Sequence, residues 1–369
     1  MRIAYVAVHL ERALMQGGVG RKITTQIQLW QQAGHQSRLF LLTPDELSLE
    51  NASVFRFDAP QTIAPLRLLF REGARSRALS ALIASVQEYH PDVIYFRYGL
   101  FAWPLPRLFR VAPVVVEINS NDVDEYRSRG PFFYSVNRLT RGQILRRAAG
   151  LAPASYELAT LPANLAFQKP VKVISNGIDL SRLSPLEAPQ NAHPRLAFVG
   201  SPGYGWHGVD KLLPLARQFP DLEIEVIGYR PQDLGAELPP NLHLHGFMQP
   251  AQVQALFKGV DVAIGTLALH RKNMQEASPL KVREALGLGL PVILAYWDTD
   301  LSEAGFDFVL QLPNQEDNVV ACAEDIRKFA YRMQGQRADR ARLAPLIDQS
   351  QKEAERLAFM AQFAAIRES

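Results

Sequence analysis

The segment Glu276 to Pro291 reads Glu-Ala-Ser-Pro-Leu-Lys-Val-Arg-Glu-Ala-Leu-Gly-Leu-Gly-Leu-Pro, and no other stretch restricts the fold as much. Ser278 is a good N-cap, and Pro279 suits the first helical position, where a missing N–H costs nothing. Gly287 and Gly289 end that helix, and Pro291 to Ala295 reads as the next buried strand. A short capped helix feeding a buried strand is a unit of an α/β sheet. First-turn amides have no intrahelical acceptor and, with the helix dipole behind them, favour a diphosphate. Ala277, Ser278, Pro279, Leu280 and Lys281 line that point. Glu276 can reach hydroxyls beyond the phosphate, and Glu284 a ribose. Phosphate between two hydroxyl readers describes a nucleotide-sugar site. The glutamate spacing alone does not discriminate, since it recurs at Glu117/Glu125 and Glu316/Glu324 without Ser-Pro-Leu-Lys between.

At 369 residues the chain exceeds one ordinary core, so two domains are expected. Strand and helix patterns alternate throughout, which favours parallel sheets covered by helices. Expected strands in the first half are Arg2–Val8, Ser37–Leu42, Val54–Phe57, Asp92–Phe96, Pro113–Ile118 and Val171–Ile174. Those in the second are Arg195–Val199, Glu223–Ile227, His243–His245, Asp261–Gly265, Pro291–Ala295 and Phe308–Leu312. Helices are expected over Gly20–Ala33, Leu66–Tyr89, Arg138–Ala149, Gly208–Gln218, Pro250–Lys258, Pro279–Leu286 and Val319–Tyr331. The boundary falls in the proline-broken stretch Leu180 to Pro194, giving domains 1–180 and 181–345 and a helical tail over 346–369.

Hydrophobic content of 47% against 21% charged residues argues against disorder. Cys322, the single cysteine, cannot form an internal disulfide and fits a reducing compartment. No apolar run reaches membrane-spanning length, and Met1-Arg2 leads straight into a strand, so a cytoplasmic protein is expected. Charge is uneven: residues 1–180 carry 21 Lys/Arg against 14 Asp/Glu, and the remainder 19 against 23. Arg67, Arg71 and Arg75 recur at helical spacing, and Arg138 to Arg147 lies in an arginine-rich, acid-free stretch from Tyr126 to Tyr156. A solvated helix face is one reading. The other is a surface for an anionic membrane or an anionic acceptor, with peripheral attachment at the inner face. Nothing has the spacing of a nucleic-acid module.

Three further places carry candidate chemistry. Gly17-Gly18-Val19-Gly20 follows the first strand and precedes a helix, where glycines let backbone approach a ligand, although the dinucleotide spacing is absent. Glu117-Ile118-Asn119 and Arg97-Tyr98 end neighbouring strands, and strand carboxyl ends point into the ligand crevice. His243 and His245 share one strand face and are too few for a metal site. Asp122-Val-Asp124 and Asp298-Thr-Asp300 match the short Asp-x-Asp metal pattern, but no catalytic metal and no cofactor beyond the donor substrate is expected.

The Glu276–Pro291 segment, the glycine run with Leu29 to His35, and Val173-Ile-Ser-Asn-Gly-Ile-Asp179 together resemble retaining glycosyltransferase family 4. The resemblance implies the GT-B fold: two Rossmann-like domains facing a cleft, with the C-terminal helix returning to the first. It implies transfer of a sugar from a nucleoside diphosphate sugar to a glycan or lipid-linked acceptor, without an enzymic nucleophile. Glu276, Asn119 and Arg97 would then serve catalysis. Gly18, Val19, Gly20, Phe247 and the Ser278–Glu284 turn would bind the donor. The family's usual phosphate-binding arginine and lysine correspond here to Ser201 and His207. Arg271, Lys272 and Lys281 are the candidates for replacement charge, ahead of Arg230. Alternatives are a nucleotide-sugar epimerase or hydrolase on the same fold, or a non-catalytic sugar-nucleotide-binding protein.

Overall fold

The computed structural model describes residues 1–8, 10–58, 64–235 and 237–365. It divides into two compact units, one of residues 1–174 with the stretch from Ser350, the other Ser175–Gln349.

The first unit holds β1 (Arg2–Val8), β2 (Gln36–Thr43), β3 (Ala52–Arg56), β4 (Val93–Arg97), β5 (Val114–Ile118) and β6 (Gly150–Pro153). They pair in the order β3-β2-β1-β4-β5-β6, all parallel. From Ile3 onward β1 is buried on both faces, as a parallel sheet under helices requires. One face packs Val6, Phe40 and Phe96 against Leu82 and Val86 of helix Ala64–Tyr89. The other packs Tyr5 and Tyr95 against Trp30 of helix Gly18–Gln32 and against Phe359 and Met360 of helix Gln349–Ala364. The C-terminal helix therefore returns to the first sheet. Of the tail expected over 346–369, residues 366–369 lie outside the described ones.

One strand differs from expectation. Val171–Ile174 forms no strand, and only Val171 makes an isolated bridge, to Leu151. The sixth strand is Gly150–Pro153 instead. A glycine and a proline within four residues hide it from any propensity argument. A side chain at 150 would press into the rings of Phe359 and Phe363, which explains the glycine.

The second unit holds β7 (Arg195–Val199), β8 (Glu223–Ile227), β9 (Leu242–Gly246), β10 (Val262–Ile264), β11 (Val292–Leu294) and β12 (Val309–Gln311). Their order is β12-β11-β10-β7-β8-β9, again all parallel. Both sheets are thus wound alike, each reversing direction beside its first strand. In such sheets ligands bind outside the strand carboxyl ends at that reversal. Helix expectations shift by a few residues, most at Arg138–Ala149, which is Pro131–Leu145. Val319–Tyr331 is two helices, Asn318–Ala321 and Ala323–Met333, broken at Cys322.

Candidate functional site

The carboxyl ends of β7, β8 and β9 lie side by side in the second unit. Gly200 follows β7 and Gly228 follows β8, and their backbones touch. A side chain at Gly228 would stand 1.8 Å from the Gly200 carbonyl oxygen, and its φ of +95° also favours glycine. Helix Leu280–Gly287 directs its first turn at this point: Lys281 Nζ donates to the Val199 carbonyl at 3.2 Å and sits 4.0 Å over the Phe198 ring. No described carboxylate pairs with it, and desolvation lowers its pKa to about 7. Of the three replacement cations expected, this one is held at the helix start with no counter-charge among the described residues.

Ser278 is not the N-cap. Pro279 takes that position with extended backbone, and the helix begins at Leu280. The Ser278 hydroxyl instead accepts from the Asn176 amide at 3.1 Å, while Asn176 Nδ2 donates to the Ser278 carbonyl at 2.8 Å. Arg283 completes this clamp. Its Nε donates to the Asn176 carbonyl at 3.0 Å, and its Nη atoms donate to Asp298 at 2.9 and 2.7 Å and to Asp300 at 2.7 Å. The pair Glu276–Ala277 forms a short parallel ladder with Trp297–Asp298. The buried Glu276 is therefore fixed through the strand that Arg283 anchors, and Glu284 follows Arg283 on the helix. The roles of Arg283 and Asp298 were not read from sequence. An arginine four residues into an amphipathic helix looks like a solvated one.

His207 and Ser201 lie beside Lys281. Tyr229 donates to the Ser201 carbonyl at 2.6 Å and meets His207 Nδ1 at 2.9 Å. The one hydroxyl proton is spent on Ser201, so Nδ1 carries the proton and donates to Tyr229. Burial and the nearby Lys281 lower the His207 pKa to about 3, so the ring is neutral and supplies no charge. Arg271 already has carboxylate partners. It grips Asp210 with two bonds of 2.9 and 2.8 Å, pairs with Glu316 and donates to the Gly205 carbonyl at 3.0 Å, latching the 205–210 turn. Lys272 lies 4.8 Å over the Trp206 ring. Phe247, directly after β9, is 76% exposed, and the preceding Gly246 bonds to the Gly228–Tyr229 turn after β8. His243 and His245 pair across strands with Glu223 and Glu225 at 2.8 and 2.5 Å, a structural use.

In the first unit, Gly17–Gly20 forms no open loop. A short helix, Arg12–Gln16, precedes Gly17, and the next helix already begins at Gly18. Gly20 is required because the Met15 carbonyl would lie 1.7 Å from a side chain there. Gly18 and Val19 occupy the first turn of that helix. One turn on, Lys22 turns inward: its Nζ donates to Glu117 at 2.7 Å and to Asn119 Oδ1 at 3.1 Å. Arg97 donates to the other oxygen of Glu117 at 3.0 Å, and Tyr5 to the same oxygen at 3.2 Å. Burial alone raises a carboxyl's pKa. Here the cations Lys22 and Arg97 outweigh it and hold Glu117 well below the usual range, hence ionised. Lys22 went unnoticed because it sits among polar residues of a helix. Tyr98 donates to Asn137 at 2.7 Å.

Both Asp-x-Asp sequences are committed elsewhere. Asp298 and Asp300 hold Arg283, Asp122 holds Arg141 and Asp124 holds Arg127. The basic surface also needs correction. Arg75 is largely buried, donating to the Phe101 carbonyl at 2.6 Å, and Arg141 is buried on Asp122 and Asn164. Arg71, Arg138, Arg146 and Arg147 are exposed, and the Arg67 side chain lies outside the described residues. Phe132, Phe133 and Leu139, on the same helix as Arg138, are exposed as well. Among the described residues no helix is long and apolar enough to cross a membrane. A groove of about 650 Å³ lined by Ser80, Ile83, His90, Arg107 and Arg110 lies at the amino ends of β4 and β5.

Residues 16–182 match the family described as Glycosyltransferase Family 4. The two like-wound parallel sheets make the chain's fold GT-B. Its fold is similar to that of sucrose-phosphate synthase from Thermosynechococcus elongatus, with a TM-score of 0.69 at 17% identity, covering 99% of this chain and 100% of that one. It is similar to the lipopolysaccharide outer core galactosyltransferase WaaB, with a TM-score of 0.64 at 11% identity, over 97% and 99% of the two chains. It is also similar to Anabaena HepE solved with UDP-glucose, with a TM-score of 0.60 at 16% identity, over 97% and 100%. No curated protein matches the chain by sequence.

Proposed function

We propose that the protein is a retaining glycosyltransferase that moves a sugar from a nucleoside diphosphate sugar to a hydroxyl of a glycan or lipid-linked acceptor. The observation that carries this reading is Lys281, an ammonium with no carboxylate partner among the described residues, at the first turn of helix Leu280–Gly287, beside the Gly200 turn and the neutral His207. An arriving diphosphate supplies the missing counter-charge, and the first-turn amides add donors. Glu276 holds hydroxyls of the donor sugar, Glu284 the ribose, and exposed Phe247 one face of the base.

The leaving diphosphate departs on the face that the acceptor attacks, and its own oxygen takes the acceptor's proton. The protein then needs to align substrates and stabilise developing charge, without a nucleophile of its own. HepE was solved with UDP-glucose, so uridine donors are the first to test. The exposed arginines near Phe132, Phe133 and Leu139 support a peripheral site at an anionic membrane, where a lipid-linked acceptor would be met.

The test is incubation with a panel of nucleoside diphosphate sugars and acceptor extracts, followed by analysis of the product's anomeric configuration. Transfer with the donor's configuration kept is the expected result. An epimerised nucleotide sugar, or free sugar without transfer, points to the other enzyme classes.

A further inference from the structure

The ammonium of Lys22 can only donate, so the Asn119 atom 3.1 Å from it is the side-chain oxygen. That contact fixes the amide's flip. Asn119 then directs its Nδ2 away from Lys22 at the carboxyl end of β5, and no described residue accepts from that nitrogen. Glu117 holds Lys22 in turn, and is itself held by Arg97 and Tyr5. The four anchoring groups come from helix Gly18–Gln32 and from β1, β4 and β5, so the arrangement is a rigid one. Lys22 is 7% exposed and Glu117 2%, too deep for either to meet a substrate directly. Asn119 is half-buried and can.

We infer that Lys22 is a positioning residue that acts through Asn119, orienting its amide as a hydrogen-bond donor to a substrate oxygen. This rests on the sugar-transfer reading above and adds to it the residue that orients the donor group in the first unit. A buried lysine paired only with Glu117 for stability would place no demand on Asn119. The 3.1 Å bond is what separates the two roles.

A double-mutant cycle tests this, with kcat, KM and melting temperature measured for each variant at saturating donor. Lys22→Met and Asn119→Ala are each expected to lower kcat by about tenfold to a hundredfold, with the donor's KM changed little. The double variant is expected to match the worse single variant, because Lys22 works through Asn119. Lys22→Arg, which can still donate to both partners, is expected to retain most of kcat. Multiplying effects, or a Lys22→Met variant that melts lower yet turns over normally, would overturn the inference. Should Lys22→Met fail to fold, Lys22→Arg and Lys22→Gln carry the comparison, with Gln expected to fall between Arg and Asn119→Ala. Wild-type protein that transfers no sugar would count against the transferase reading, whereas wild-type transfer with an additive cycle would count against Lys22 alone.

Discussion

Arg283 and Asp298 form a two-pronged ion pair, Nη1 to Oδ2 at 2.9 Å and Nη2 to Oδ1 at 2.7 Å, with both side chains wholly buried. The pair stands under the Glu276 ladder and beside the Asn176–Ser278 clamp, so one buried guanidinium organises the whole turn. Removing a single partner leaves an uncompensated buried charge, which costs about 3–5 kcal/mol. Arg283→Met should therefore lose stability of that order in urea unfolding. Because Asp298 and Asp300 are occupied by Arg283, sugar transfer should continue under saturating chelator. Loss of activity restored by manganese would show that one of these carboxylates leaves its arginine for a metal.

Lys281 sets the expected pH dependence. Its pKa is about 7 in the folded protein against an ordinary 10.5, because burial disfavours the charged form. Between those values the unfolded chain binds the proton that the folded chain lacks, so stability of the ligand-free protein rises with pH across that window. Diphosphate binding runs the other way, since it needs the ammonium. Affinity for a nucleoside diphosphate should fall above pH 7 by up to about tenfold per pH unit. His207→Gln should keep this profile, because the neutral ring takes no part in it. Titrations from pH 6 to 9 check both statements.

The legible part of the chain was its apolar skeleton. β1 and β7 fall where the sequence places them, because continuous apolar runs bounded by polar residues define buried parallel strands, and β8 does so on its Ile224, Val226 and Ile227 despite Glu225 between them. The helix-to-strand unit after Glu276 was legible too, although the cap was misplaced by one residue. Burial of charge was not legible. Arg75 and Arg141 belong to stretches that read as a basic surface, Lys22 and Arg283 carry no signal of burial, and each is held by a partner distant in sequence. Periodicity reports where apolar groups go and is blind to a cation that meets its carboxylate only after folding. β6 escaped for a different reason, since its glycine answers to the rings of a helix some two hundred residues later.

Glu276 and Glu284 should separate cleanly in function. Glu284→Gln should weaken binding of a free nucleoside diphosphate, because a ribose contact is lost. Glu276→Gln should spare that affinity and lower turnover, because its partner is the sugar. Equal loss of nucleotide affinity in both variants, read by calorimetry, would contradict the assignment.

The exposed surface of helix Pro131–Leu145 should bind anionic vesicles by charge and by insertion together. Phe132→Ser with Leu139→Ser removes the apolar part, and Arg138→Gln with Arg146→Gln the basic part. Each basic residue at such a surface is worth about 1 kcal/mol, so the arginine pair should weaken binding by roughly 2 kcal/mol at low salt. Arg75→Gln and Arg141→Gln should act on stability instead, since Arg141 is buried and Arg75 largely so. Vesicle sedimentation with anionic and neutral lipid, at low and high salt, reads the difference. Equal partitioning onto both lipids would leave the face as a solvated one.

Calorimetric titration of nucleoside diphosphates and their sugars into the wild-type protein and Lys281→Met, at about pH 6, tests the donor site most directly. Saturable one-to-one binding by the wild type is predicted, at least about tenfold weaker in the variant, as expected for losing a charge-assisted bond to phosphate. No binding of any nucleoside diphosphate sugar, or equal affinity in the two proteins, would contradict a diphosphate site at the start of helix Leu280–Gly287.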